Sequence, residues 1–246
     1  MVAMPLTAHA VESSTASRET KPTTTTTKES AFCTNLSSEV TKLTTSLTDL
    51  KSKKDAAQTK RDQDLTADRA KWDQEIKDSR AKWDKQRQEN FTKLEAKATT
   101  DAEKTAVKTY EAAITNAVNI RRSANDAARA SFRASVDSTI TAQRTTVTTQ
   151  TTAFSSAVSA AVAAAQASCT ANPSDGATIR TTLIAALKTA RETFAAGRKT
   201  DGTVGDTIKK LAATRDAAIK AADATFEASA KTARETLKTA FGSTNV

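Results

Sequence analysis

Apolar residues recur along the first part of the chain at helical spacing. Phe32, Leu36, Val40, Leu43, Leu47 and Leu50 follow at steps of four and three, the seam of an amphipathic, coiled-coil-like helix. Further on, Arg69-Ala70-Lys71-Trp72-Asp73 returns as Arg80-Ala81-Lys82-Trp83-Asp84, displaced by eleven residues. Eleven residues are three helical turns, so both copies present nearly one face, about 16 Å apart along the axis. The heptad-like stripe passes into a hendecad one through Trp72, Ile76, Trp83, Phe91 and Leu94 to Ala98. One helix of about 68 residues, roughly 100 Å long, is predicted.

Thr100 and Glu103 then form a Thr-x-x-Glu capping box, which starts a second helix. Its apolar positions include Val107, Tyr110, Ile114, Val118, Phe132, Val136, Phe154 and Val158, and it stops at Asn172-Pro173-Ser174-Asp175-Gly176. The threonine-rich run 145–152 is its weakest stretch, because β-branched residues lose rotamer freedom in a helix. A shorter helix is predicted over 178–196, a glycine-punctuated loop over 197–205 and a last helix over 206–241.

The two cysteines decide how the long helices lie. Cys33 opens the first, Cys169 closes the second, and residue 101, at the predicted turn, is equidistant from both. Folding back there makes residues whose numbers sum to about 202 face each other and brings the thiols together. That register sets Phe91 near Tyr110, Leu47 near Phe154, and Trp72 and Trp83 against alanine-rich turns, large against small as a packed seam needs. The fold class is therefore all-α: an elongated antiparallel hairpin of two helices of about 68 residues over 31–172, with two C-terminal helices from 173–246 packed along it. Cys33 and Cys169 form its expected disulfide.

Composition supports a thin, elongated core. The chain is 38% hydrophobic but only 4% aromatic, with five glycines and three prolines in 246 residues, so helix can run long without interruption. The net charge of +9 is spread along the chain without a block of like charge. Such an excess predicts loose attraction to anionic cell-surface polymers and no specific reading of nucleic acid. No stretch is apolar enough to serve as a transmembrane helix.

Residues 1–10 end in Ala8-His9-Ala10, the small-x-small form of a signal-peptidase site, and read as the remnant of an export signal. Residues 11–30, rich in threonine and charge, read as a disordered linker. Together with the paired cysteines they place the chain outside the cytoplasm: secreted, periplasmic or on the cell surface.

The only histidine, His9, lies in the presumed signal, and no nucleophile–base pair, phosphate loop or metal-ligand spacing is present. The expectation is a protein without catalytic residues, cofactor or metal. Trp72 and Trp83, flanked by Arg69, Lys71, Arg80 and Lys82, can be read as a stacking surface for sugars or bases, or as seam packing, the preferred reading. The expected role is a non-enzymatic spacer or scaffold that can self-associate through its seams. The alternatives are a periplasmic-type holdase chaperone and a basic polyanion binder.

Overall fold

The structure is a computed structural model that describes residues 30–200 and 204–242, without the side chains of 199 and 200. The readings made for residues 1–29 lie outside it. Four helices account for the described chain: α1 (Ala31–Lys97), α2 (Asp101–Ala171), α3 (Gly176–Thr200) and α4 (Val204–Ala240). The first two have 67 and 71 residues, so each is about 100 Å long. The chain is the all-α bundle that its periodicity implies.

Each boundary has a local cause. Ser30 accepts the Cys33 N–H and caps α1, which takes it out of the predicted linker. Between α1 and α2 the capping box forms as read: Glu103 N–H reaches Thr100 Oγ1 at 3.2 Å, and Glu103 Oε2 accepts both Thr99 and Thr100 N–H at 2.8 Å. These bonds, the Thr100 N–H first, lower the Glu103 pKa to about 2. The threonine-rich stretch of α2 stays helical, its hydroxyls bonding the carbonyl four residues back, as at Thr145, Thr146 and Thr151. Gly197, expected in a loop, is instead inside α3; a Cβ there would come within 3.1 Å of the Gln150 side chain. The absence of a side chain lets α3 continue against α2.

α2 is the central element. α1 returns antiparallel to it, and α3 and α4 together make a third, interrupted strand of helix, also antiparallel to α2. Ile179 packs with Leu36 and Ala165 at the disulfide end, Phe194 meets Phe154 at 5.3 Å, Ala230 and Ala233 meet Ile114, and Leu237 meets Val107 and Ala98 at the turn. Numbers rising along α3 and α4 thus meet numbers falling along α2. Phe154 was expected to face Leu47; it faces α3 instead.

The two sides of α2 differ. Against α3 and α4 the contact is made through alanine, with Ala117 and Ala165 on α2, Ala190 on α3 and Ala230 and Ala233 on α4 all buried, so those backbones approach closely. Against α1 it is held farther off. Trp72 and Trp83, expected to fill that seam, are 49% and 62% exposed. The seam reading of the tryptophans therefore fails, because a different pair of residues from the same repeat turns toward α2.

At the open end, Cys33 and Cys169 are bonded with Cα atoms 5.5 Å apart. Close by, Ser30 N–H donates to the Pro173 carbonyl at 2.7 Å, and Gly176 packs where a Cβ would overlap the Ser30 hydroxyl. Three helix ends are thus gathered at one point. Because the bond closes a loop with a sequence separation of 136, its loss should lower stability by about 5 kcal/mol on the loop-entropy view. Urea unfolding of Cys33→Ser with Cys169→Ser should read that loss as a lower midpoint at an unchanged native helix content.

Candidate functional site

The eleven-residue repeat supplies one wall of the site. Its Arg and Asp, four residues apart, lie on one helix face and can bond to each other or across to a neighbour. They reach across. Arg69 donates to Asp137 through two N–H groups at 3.0 and 2.7 Å, and Arg80 to Asp126 at 2.9 and 2.6 Å. In the opposite sense Arg133 donates to Asp73 at 2.8 and 2.6 Å, and Arg122 to Asp84 at 2.9 and 2.6 Å. Arg144 and Asp62 add a fifth rung. The charged face of the repeat is thus an inter-helix ladder.

The ladder's periodicity is shared by both helices. Rungs step by seven and four residues along α1, at 62, 69, 73, 80 and 84, and by the same steps backwards along α2. The numbers in every rung sum to 206, against 202 for the cysteines. Side chains on a helix lean toward its own N-terminus, so in an antiparallel pair both partners lean toward higher numbers on the other helix. A four-residue offset, one turn, is what two such leans produce.

Bonding to arginine holds the carboxyls of Asp73, Asp84, Asp126 and Asp137 below their ordinary range, and raises Arg80 and Arg133 through the same bonds. The carboxylates are roughly half exposed, so solvent and salt screen each rung and its contribution is small. One repeat farther on, the rung position is taken by two acids. Glu111 is pushed up by burial and by the nearby Glu95 charge, and its Oε1 is buried without a hydrogen-bond partner. The ladder ends there.

Where α4 joins the long helices, the wide α1–α2 seam opens into a cleft of about 760 Å³. Four of the five stripe residues line it: Ile76, Trp83, Phe91 and Leu94, whereas Trp72 lies outside. Phe91 is buried and stands edge-on to Tyr110, with ring centres 6.1 Å apart. The sequence did not single out the facing residues Arg121, Arg122, Asn125, Arg129 and Phe226. A readable signal existed for one of them, because Arg122 with Asp126 recurs eleven residues on as Arg133 with Asp137, the complement of the tryptophan unit.

Five arginines and one acid, Glu75, line the cleft. Asp84 is shared by Arg87 and Arg122, Asp126 by Arg80 and Arg129, and Arg121 holds Asp223 at 2.6 Å while lying over the Phe226 ring. Among them Asn125 is only 9% exposed, and its Oδ1 accepts no hydrogen bond. Leaving such an oxygen unpaired costs about 1–3 kcal/mol. Among the described residues no group of three or more His, Cys, Asp or Glu side chains is placed to hold a metal ion, and no helix is long and apolar enough to cross a membrane. No protein-family model, curated protein or solved structure matches the chain.

The ladder predicts a charge-swap rescue. Arg69→Asp should cost about 1 kcal/mol by opposing Asp137, and adding Asp137→Arg should restore most of it, a coupling read by a double-mutant cycle in urea.

Glu111 gives a test of opposite pH sense to the aspartates. Its raised folded pKa means that its contribution to stability is complete below the unfolded value of about 4.3 and lost as pH rises through the folded one. Glu111→Gln should therefore raise the melting temperature at pH 7 by a few degrees and leave it unchanged near pH 3. The ladder aspartates, with depressed folded values, lose their contribution only as pH falls below about 4.

Proposed function

We propose that the chain is a non-enzymatic, extracytoplasmic helical spacer or scaffold, a rod that holds whatever its ends carry at a fixed separation. The observation that carries this reading is the bracing of the two long helices at three separate places. The disulfide ties one end, the five Arg–Asp rungs tie the middle, and the capping box with the Val107–Leu237 cluster ties the turn. A lone helix of this length bends readily; three helical strands fixed in register resist bending. The disulfide supports a compartment outside the reducing cytoplasm.

The holdase alternative receives less support, since a chaperone clamp requires a broad cavity and the cleft is slender. Polyanion binding also receives less, because the ladder commits several arginines to aspartate. Self-association through the exposed faces of Trp72 and Trp83 is compatible with a scaffold.

Small-angle scattering of the oxidised protein tests the reading. A braced rod about 100 Å long has a radius of gyration near 30 Å, whereas a globule of this length has about 18 Å. The rod value should persist from low to high salt, and cell fractionation should find the chain outside the cytoplasm with Cys33 and Cys169 oxidised. A compact particle, or a reduced cytosolic chain, would overturn the proposal.

A further inference from the structure

Buried surface is divided unevenly among the helices. α2 buries residues along its whole length, from Val107 to Ala165, and Ala190 of α3 with Ala230 and Ala233 of α4 are buried alongside it. In α1 only Leu36 and Phe91 are buried, one near each end. Between them no residue from 37 to 90 is buried, about 80 Å of helix.

What holds α1 to α2 over that distance is the ladder. The carboxylates of its five rungs are roughly half exposed, so salt at about 1 M, where charges act over only about 3 Å, weakens every rung at once. The two ends of α1 are held differently. At the turn, Phe91 meets Ile114, Ala230 and Ala233, and Ala98 meets Val107 and Leu237, apolar contacts that screening does not weaken, next to the continuous backbone of residues 98–100. At the other end Leu36 meets Ala165 and Ile179, and the only covalent link is the Cys33–Cys169 bond.

We propose that α1 is a hinged arm shut by two independent ties, the disulfide and the ladder. Either tie alone keeps it closed; removing both lets its N-terminal end swing away from α2 while the turn stays packed as the pivot. The stem of α2, α3 and α4 keeps its alanine seam throughout. Both cysteines are partly exposed, within reach of a reducing dithiol. One thiolate of that dithiol attacks either sulfur and its second thiolate completes the exchange, so the protein's S–S bond breaks as one forms in the reductant. Two electrons pass to the protein, and its two thiols take up the two protons the dithiol gives up. The proposal stands on the uneven burial and not on the spacer reading, since a disulfide-bonded rod scatters alike whether or not its arm can open.

Distances between paired spin labels test it. Lys54→Cys and Thr152→Cys lie at exposed positions that share the register of the ladder and read the arm against α2. The pair is compared with the native disulfide retained and in the Cys33→Ser, Cys169→Ser background. At low salt both proteins should give the same short distance. Lys54 is about 55 Å from Phe91 along the helix, so a tilt of roughly 20° carries it about 19 Å. At about 1 M salt the disulfide-free protein should lengthen by about that much or more, and the disulfide-bonded protein should not change.

Asp73→Asn with Asp84→Asn should lower the salt needed to open the disulfide-free protein and leave the disulfide-bonded one shut. A control pair on the stem, Ser123→Cys with Ala221→Cys, should keep its distance under every condition. If the disulfide-free variant does not fold, the unmodified chain serves: after reduction by dithiothreitol and its removal, the Cys33–Cys169 bond should re-form several-fold more slowly at high salt than at low salt. Salt that opens the disulfide-bonded protein, a disulfide-free protein shut at every salt, or a stem distance that lengthens together with the arm would each refute the hinge. So would re-formation of the bond at one rate in low and high salt.

Discussion

Arginine and aspartate four residues apart would ordinarily bond to each other along one helix, and here they bond across two. That choice sets the distance between α1 and α2. A seam of alanines brings helices close, as α2 does with α4, whereas a seam of Arg–Asp pairs holds them apart by the length of two polar side chains. The exposed tryptophans, the thin core and the open cleft all follow from that separation. Trp72 and Trp83 sit next to Asp73 and Asp84 in sequence, so turning the aspartates inward carries the indoles toward the outside.

The ladder fixes which faces meet and in which direction, but it does not fix absolute register. Because both helices repeat every eleven residues, a slip of eleven would preserve three rungs, pairing Arg69 with Asp126, Asp73 with Arg122 and Asp62 with Arg133. It would also bring Asp84 against Glu111. Each rung contributes little, so the energy separating the registers is small on charge pairing alone. The Cys33–Cys169 bond and the capped turn at Thr100 admit only one of them. Charge periodicity and covalent closure thus do different parts of one job.

The hairpin was legible because its signals are local or arithmetic. A capping box needs only Thr100 and Glu103, and two cysteines equidistant from the turn need only counting. Phe91 against Tyr110 followed from the same register. What the sequence obscured was direction within the repeat: Trp72 and Asp73 lie about 100° apart on the helix, and hydrophobicity favoured the indole as the buried one. The partner's periodicity decides the matter, since Arg122, Asp126, Arg133 and Asp137 recur at the same interval in reverse order. The cleft was harder still, because Phe226 and Arg121 come together only through the packing of α4, a tertiary fact that no window along the chain contains.

Placing the ladder beside the cleft also explains how polar groups can line an opening without collapsing it. An apolar slot of this length would lose surface by closing, and nothing but packing would hold it open. The bidentate rungs of Arg80 and Arg122 act as struts, because shortening the gap between α1 and α2 would force each guanidinium off its carboxylate. Where the rungs stop, at Glu95 and Glu111, the helices are drawn together by Phe91, Tyr110 and Ile114 instead. The cleft therefore passes from a charged, propped half to an aromatic one, and its polarity is a direct consequence of where the eleven-residue repeat runs out.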